Sequence, residues 1–217
     1  MLKKIKQTKS EKLLLIFLIL LAVFSFVSFT LIKNKCLFVE KVDLDKLSFS
    51  NAENVVILNV SCGNVVIELL PNISPNSVER FKKLIKNKEY DNVAFHRVVK
   101  NFLVQAGDLE FGRKDNINYT YIGSGRSKYN LIKPETDKPF QFKRGTVAFA
   151  KSKSGDAEDS EFLILLADAF LFEGEYTPLG RVISGISALE KIKFNDQSEY
   201  VLRPDFINTL RMFSNIN

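Results

Sequence analysis

One stretch near the N-terminus constrains the fold of this chain more than any other. Residues 13–32 read LLLIFLILLAVFSFVSFTLI and contain no charged side chain. At about 1.5 Å per residue, a helix of this length spans roughly 30 Å, which is the thickness of the hydrocarbon core of a bilayer. Because no polar face interrupts the run, a helix in the core of a soluble domain is disfavoured. The sequence therefore predicts one transmembrane helix over residues 13–32.

The lysines around this run predict its orientation. Five lysines precede it and two follow it, so the positive-inside rule places residues 1–12 in the cytoplasm as a basic tail and the rest of the chain across the membrane. A cleaved signal peptide is the alternative. However, the run is longer than the usual h-region of about 7–15 residues, and no A-x-A-like site ends it. The pattern favours an uncleaved signal-anchor, followed by a linker at 33–53 and one folded domain at 54–217.

The charge distribution argues against a nucleic-acid partner. Of the net charge of +6, residues 1–40 contribute +5, so the remaining 177 residues carry only about +1. The basic pI thus reflects the tail and not the domain, and no Lys/Arg stripe interleaved with aromatic residues is visible.

Cysteine and histidine content limits metal and redox chemistry. The chain has two cysteines, Cys36 and Cys62, and one histidine, His96, so no Cys/His cluster is available for zinc. An oxidising compartment would permit a disulfide, but proximity cannot be inferred from sequence. Two free thiols are the expectation.

Short apolar runs separated by turn residues dominate the domain. Residues 55–60 and 65–70 flank a turn at 61–64 and predict a β-hairpin. Ser74 and Pro75 then predict the N-cap and first position of a helix that ends near Lys88. Its buried face is expected to carry Val78, Phe81, Leu84 and Ile85. Further strands are predicted at 93–99, 102–105, 145–150, 162–166, 179–183 and 207–213, with a polar loop at 112–143 and a short helix at 185–193. This pattern favours a β-barrel or sandwich.

Three blocks of sequence carry a family resemblance. FHRVV at 95–99 is followed by FLVQAGD at 102–108; the other blocks are GTVAFAKS at 145–152 with SEFLI at 160–164, and FEGEYTPLGRV at 172–182. In order and spacing, residues 54–213 resemble the cyclophilin-type peptidyl-prolyl cis-trans isomerases, with the bacterial branch favoured. The resemblance implies a mainly β fold, an eight-stranded antiparallel barrel capped by two α-helices. It also implies proline-containing polypeptide substrates.

The reaction of that family requires few groups. An X–Pro bond rotates over a barrier of about 18–20 kcal/mol, and no covalent bond breaks, so neither metal nor cofactor is expected. A donor aimed at the prolyl nitrogen stabilises the twisted amide, and a permanently charged guanidinium is such a donor. By resemblance Arg97 has this role, while Gln105 holds the substrate backbone and orients Arg97. The resemblance implies these further substrate-binding residues: Phe102, Leu103 and Leu163 around the proline ring, Ala150 and Lys151 through backbone groups, Glu161 in the peptide groove, and Leu171 and Tyr176 at the rim.

Several positions depart from the family pattern. Ala106 replaces a glycine whose backbone angle Ala could resist. Glu161 stands in place of a common Gln and brings a negative charge towards the peptide groove, where a competing pair with Arg97 would weaken catalysis or favour basic substrates. Leu163 stands where Phe is usual, and Leu171 stands where Trp or Phe is usual. His96 is expected to be structural, because the reaction transfers no proton. The acidic residues Asp156, Glu158, Asp159 and Glu161 are expected to form a solvated loop.

Two functions fit these residues. The first is an active isomerase at the inner membrane that acts in the periplasm on exported or membrane-adjacent proteins, which Arg97, Phe102 and Gln105 favour. The second is a membrane-tethered binding or chaperone module on the same fold, with little or no turnover, which Glu161 and Leu163 keep open.

Overall fold

The computed structural model describes residues 8–33, 35–151 and 157–215. Lysines 3, 4 and 6 of the basic tail, Ser152 of the second sequence block and Asp156 of the acidic run lie outside the described residues. The chain divides into two compact units between Phe38 and Val39.

Helix α1 (Lys9–Lys33) dominates the first unit. Its segment Lys9–Leu31 has a mean hydropathy of 2.8, and none of the residues in its most apolar window is buried within the structure. The predicted apolar helix is present and begins four residues before the uncharged run. By length and composition this helix is able to cross a membrane, although a signal sequence has the same properties.

One eight-stranded sheet forms the second unit. Its strands are β1 (Val55–Val60), β2 (Gly63–Leu69), β3 (Arg97–Val99), β4 (Leu103–Ala106), β5 (Thr146–Phe149), β6 (Phe162–Leu165), β7 (Pro178–Ser184) and β8 (Thr209–Met212). The spatial order is β3-β4-β6-β5-β7-β2-β1-β8, and every neighbouring pair is antiparallel. The predicted eight-stranded antiparallel architecture is confirmed, with four of the strands, β3, β5, β6 and β8, shorter than the apolar runs that predicted them.

Residues 199–207, called the return segment, bring the chain from the edge of the sheet beside β3 to β8 at the opposite end. This segment pairs with residues 92–98, as Asn92 N–H donates to Ile207 O at 2.8 Å and Val98 N–H donates to Glu199 O at 2.8 Å. The chain then continues into β8. Because this segment lies beside β3, its side chains come within reach of those on the edge strand.

Helix α2 (Pro75–Lys86) packs on the sheet through the predicted face. Phe81 lies at its centre, with ring centroids 5.3 Å from Tyr90, 5.2 Å from Phe162 and 6.0 Å from Phe149. The Tyr90 hydroxyl donates to Ser160 O at 2.8 Å, and burial raises its pKa well above the usual value. This aromatic cluster packs against β5 through Phe149 and against β6 through Phe162.

The predicted N-cap position of Ser74, with Pro75 as the first helical residue, is confirmed, but the Ser74 side chain does not cap the helix. Ser74 occupies the N-cap position but makes no capping bond, because its hydroxyl donates to Pro178 O instead. The Glu135 carboxylate takes that place and accepts from Asn76 N at 3.3 Å and Ser77 N at 2.8 Å. A negative charge at this helix end is favourable because the first N–H groups of a helix have no partner within it. The short helix predicted at 185–193 is present as α3 (Ile186–Leu189) and is shorter than predicted.

Part of the segment predicted as a linker belongs to the sheet unit, which begins at Val39. Apolar side chains of this segment pack against buried Val55, Ile57, Val66 and Phe213; they are Val42, Leu44, Leu47, Phe49 and Ala52.

The expectation of two free thiols is wrong. Cys36 and Cys62 are both disulfide-bonded, and neither is free. Sequence offered no basis for this because pairing depends on Cα separation, which only the fold sets.

Candidate active site

A groove of about 430 Å³ lies over strands β3, β4 and β6. Seven of the ten residues predicted for the site line it: Arg97, Gln105, Ala150, Lys151, Glu161, Leu163 and Tyr176. The fold thus brings most of the predicted residues to one surface, although they come from separate sequence blocks.

Arg97 and Gln105 meet because strands β3 and β4 pair in register. Their Cα atoms are direct cross-strand partners, and Arg97 Nη1 donates to Gln105 Oε1 at 3.1 Å. The Arg97 side chain is 28% exposed, so the guanidinium borders the open groove. Gln105 therefore lies where an orienting partner of Arg97 is needed.

The ion pair between Arg97 and Glu161 that the sequence left open is not formed in the structure. The carboxylate that pairs with Arg97 is Glu199, whose Oε2 lies 2.7 Å from both Nε and Nη2. Glu199 belongs to the return segment beside β3, and nothing in its local sequence indicates this role. Its position follows from the bridge between Arg97 and Tyr200, which only the tertiary pairing defines.

Glu161 contacts the other side of Gln105. Gln105 Nε2 donates to Glu161 Oε2 at 2.7 Å, and the same oxygen lies 3.3 Å from Nε2 of buried His96. The His96 ring also stacks near Tyr200, with centroids 6.5 Å apart. Glu199, Arg97, Gln105, Glu161 and His96 therefore form one continuous polar row. His96 ends this row; it is 1% exposed, and neither of its ring nitrogens has a hydrogen-bond partner among the described residues.

The apolar end of the groove is formed by Leu163, with a hydrophobic cluster behind it. Leu103 and Leu163 are each 1% exposed and share this cluster, against which Phe102 and Tyr176 pack partly buried. Leu103 is thus a core residue that supports the groove from beneath. Phe172 joins the two partly buried rings, because it stacks on Tyr176 at 4.2 Å and meets Phe102 edge-on at 6.0 Å.

Three predicted substrate contacts differ from expectation. Leu171 is 90% exposed and does not line the groove. The Ala150 N–H donates to Glu161 O at 2.8 Å, so that donor is already used. Lys151 bonds Glu175 at 2.5 Å and lies over the Tyr176 ring at 5.3 Å. That hydrogen bond lowers the pKa of Glu175, and the pair fixes the Lys151 side chain at the rim.

The polar loop provides a wall that sequence reasoning missed. The groove residues from this loop are Gly123, Ser124, Gly125, Arg126 and Leu131. Buried Asp108 holds the loop in place, because its Oδ2 accepts from Gly123 N at 2.7 Å and Gly125 N at 3.1 Å. Its Oδ1 accepts from Phe111 N at 2.8 Å. The aspartate that ends the FLVQAGD block was the available signal, since a buried carboxylate needs several donors.

The Ala106 departure has no conformational consequence here. Ala106 lies in β4, whereas the positive φ of this turn, +106°, falls at Gly107. A Cβ at Gly107 would lie 2.4 Å from Ser160 O. The position that requires glycine has therefore kept it.

The acidic run is not a solvated loop, which corrects that expectation for its described members. Glu158 is 1% exposed, and burial raises its pKa from 4.5 to about 7, against the effect of Thr177 and Ser77 hydroxyls. Asp159 lines the groove and lies 3.5 Å from Arg80 Nη1. Burial differs within the run because its members face different surroundings. Glu158 lies beside Ser77 and Glu135 at the start of α2, whereas Asp159 and Glu161 line the groove.

Chemically, the site combines a cationic donor with an apolar floor. Among the residues that the structure describes, no group of three His, Cys, Asp or Glu side chains could hold a metal ion. A guanidinium held in a planar orientation stabilises charge that develops on a neighbouring atom, at little reorganisation cost.

Comparison with known proteins gives the family. Residues 55–211 match the model of the cyclophilin-type peptidyl-prolyl cis-trans isomerases. A probable peptidyl-prolyl cis-trans isomerase of Brucella suis is 39% identical over 163 residues, 74% of this chain and 83% of the relative. A peptidyl-prolyl cis-trans isomerase of Acinetobacter baylyi is 31% identical, over 69% of this chain and 77% of its own.

Solved structures agree on the fold. A cyclophilin from Hirschia baltica superposes with a TM-score of 0.64 at 18% identity, covering 77% of this chain and 76% of its own. A cyclophilin-type isomerase of Cryptosporidium parvum, crystallised in the presence of the dipeptide Ala-Pro, gives 0.62 at 23% identity, with 73% and 98% covered. The chain therefore belongs to the cyclophilin-type peptidyl-prolyl cis-trans isomerases.

Proposed function

We propose that this isomerase catalyses X–Pro rotation in exported or membrane-adjacent proteins, with Arg97 as the donor to the prolyl nitrogen. The observation that carries the proposal is the Arg97 guanidinium at the groove, held by Gln105 Oε1 at 3.1 Å. In the planar amide the nitrogen lone pair is delocalised, so this nitrogen accepts hydrogen bonds poorly. It becomes an acceptor as the bond twists, so such a donor acts mainly in the transition state.

The substrate would lie with its proline ring over Leu163 and its flanking residues along the groove. Leu163 is supported from beneath by Leu103 and flanked by Phe102 and Tyr176. An apolar floor of this kind favours the proline ring through burial of its methylene groups. Amide groups of the substrate would then meet Gln105, the backbone carbonyl of Ala150 and the backbone at Lys151, since the Ala150 N–H already donates to Glu161 O.

We place the domain across the inner membrane, in the periplasm, tethered by an uncleaved α1. Two observations support this placement. The apolar helix follows a lysine-rich start, and Cys36 and Cys62 are both disulfide-bonded, as expected of a protein in an oxidising compartment.

The test is a cis-to-trans relaxation assay on an X–Pro peptide, with the full chain in detergent. Arg97→Ala should lose about 100-fold or more of the catalysed rate, the usual effect of removing a transition-state donor. Arg144→Ala is a matched control, because it removes an exposed arginine that pairs with Glu190. Full activity in Arg97→Ala would show that the donor assignment is wrong.

A weakly active or inactive peptide-binding module is the second candidate. The observation that favours it is the Glu199 carboxylate on Arg97, since an opposite charge reduces the field that the guanidinium exerts on a substrate. This candidate predicts that the parent chain binds proline peptides yet leaves the relaxation rate at background.

A further inference from the structure

The Arg97 guanidinium is held on two edges. Gln105 accepts from Nη1 at 3.1 Å, while Glu199 Oε2 lies 2.7 Å from Nε and from Nη2. The two partners come from opposite sides of β3, one from β4 and one from the return segment. Between them they fix the plane of the group and leave the remaining N–H groups for the groove.

This arrangement matters because Arg97 would otherwise have considerable freedom. It lies on a three-residue edge strand, its side chain is 28% exposed, and a free arginine side chain carries roughly 2 kcal/mol of rotamer entropy. A donor acts best when its orientation is set before the substrate arrives. Gln105 alone contacts one nitrogen and leaves rotation about that contact open.

Backbone hydrogen bonds to the edge strand anchor the segment that carries Glu199. Val98 N–H donates to Glu199 O at 2.8 Å, and Val201 N–H donates to His96 O at 2.9 Å, on either side of the bridge between Arg97 and Tyr200. The carboxylate therefore approaches Arg97 from an anchored segment, although the side chain itself is 54% exposed.

We propose that Glu199 is a positioning residue for Arg97, which accepts from its Nε–Nη2 edge and aims the remaining N–H groups into the groove. The proposal rests on the proposed role of Arg97 as the donor. Glu199 has no contact with the substrate in this scheme, and its charge is a cost that half-exposure to solvent reduces.

The test is a double-mutant cycle on the full chain in detergent. The single variants Arg97→Ala and Glu199→Ala are compared with the double variant in the relaxation assay, and circular dichroism verifies folding. Glu199→Ala should lower kcat about tenfold with KM nearly unchanged, because a misplaced donor weakens the transition state more than substrate binding. In the Arg97→Ala background the same change should have no further effect. Glu190→Ala, which removes another half-exposed glutamate paired with an arginine, is the matched control and should leave kcat unchanged.

Glu199→Gln completes the design, because its amide oxygen still accepts from Nε without a charge. Recovery of at least half of the lost rate, or a rate above the parent, supports positioning. Three results overturn the proposal: an unchanged or higher rate in Glu199→Ala, an equal loss in the Ala and Gln variants, or a loss that persists without Arg97. If Arg97→Ala itself retains full activity, the assignment of Arg97 as the donor is wrong. That outcome is distinct from the three results that refute the positioning role of Glu199.

Discussion

Replacing Glu158 by glutamine should make the domain more stable at alkaline pH. The Glu158 side chain is buried, its backbone pairs with Ile132, and its Oε2 lies 3.4 Å from Ser77 Oγ. Burial, assisted by nearby Glu135, raises its pKa from 4.5 to about 7. The folded state therefore binds this proton more tightly than the unfolded chain. That contribution to stability is complete below pH 4.5 and is lost as the pH rises through about 7.

The size of the effect follows from the shift. One pKa unit corresponds to about 1.36 kcal/mol, so the shift from 4.5 to about 7 allows at most roughly 3 kcal/mol. About 2 to 3 kcal/mol of this should be lost between pH 5 and pH 8. Glutamine has no such titration and keeps an oxygen that accepts from Ser77.

The assay is denaturant unfolding of the full chain in detergent, followed by tyrosine fluorescence at pH 5 and pH 8. All other titrating groups cancel in the difference between parent and variant. The free energy of unfolding of Glu158→Gln, relative to the parent, should rise by about 2 to 3 kcal/mol between the two pH values. A difference that is constant with pH, or that falls, would refute the reasoning.

Three further predictions concern the groove. Gly125→Ala should raise KM and destabilise the domain by more than about 2 kcal/mol, because the new Cβ would lie 2.0 Å from Asp108 Oδ1. In Gly174→Ala the Cβ would meet nothing within 4 Å, so only the left-handed strain of about 1–2 kcal/mol applies; equal losses in the two variants would contradict this. Glu161→Gln should favour Glu-flanked over Lys-flanked proline peptides. The ratio of their kcat/KM values should shift by up to about fivefold, since a charge pair at a surface groove is worth about 1 kcal/mol or less. An unchanged ratio would count against a role of this carboxylate in selectivity. Cyclosporin should inhibit weakly, because Leu171 stands where the family usually has a Trp or Phe that supports binding of this inhibitor. Leu171 also lies 90% exposed and does not line the groove. Nanomolar inhibition in the relaxation assay would contradict this prediction.

Local chemistry explains why the strands could largely be predicted from sequence, and why most of the candidate site residues line one groove. The run at 55–70 has a turn between two apolar stretches, and it forms β1 and β2. Arg97 and Gln105 are eight residues apart, so one tight turn between β3 and β4 is enough to make them neighbours. Contacts of this kind depend on short-range register, which sequence spacing encodes.

Errors arose where a side chain has several local options and a distant group decides among them. Ser74 has the residue type of an N-cap, yet a carbonyl from β7 receives its hydroxyl, and Glu135 from the loop caps the helix. Glu158 and Glu161 are three residues apart, yet one is buried and the other lines the groove. Charge composition cannot distinguish these outcomes, because burial depends on what packs over the segment.

The sequence by itself determined the apolar helix, the strand-rich domain and the family, since hydrophobic periodicity and motif spacing are local quantities. Only the tertiary structure decided which carboxylate holds Arg97. Glu161 is the acidic residue expected from motif order, but Glu199, 102 residues away along the chain, makes the ion pair. The physical reason is that the return segment pairs with the free edge of β3. An edge strand presents unpaired backbone groups, and the identity of the segment that fills them is set by the closure of the whole sheet.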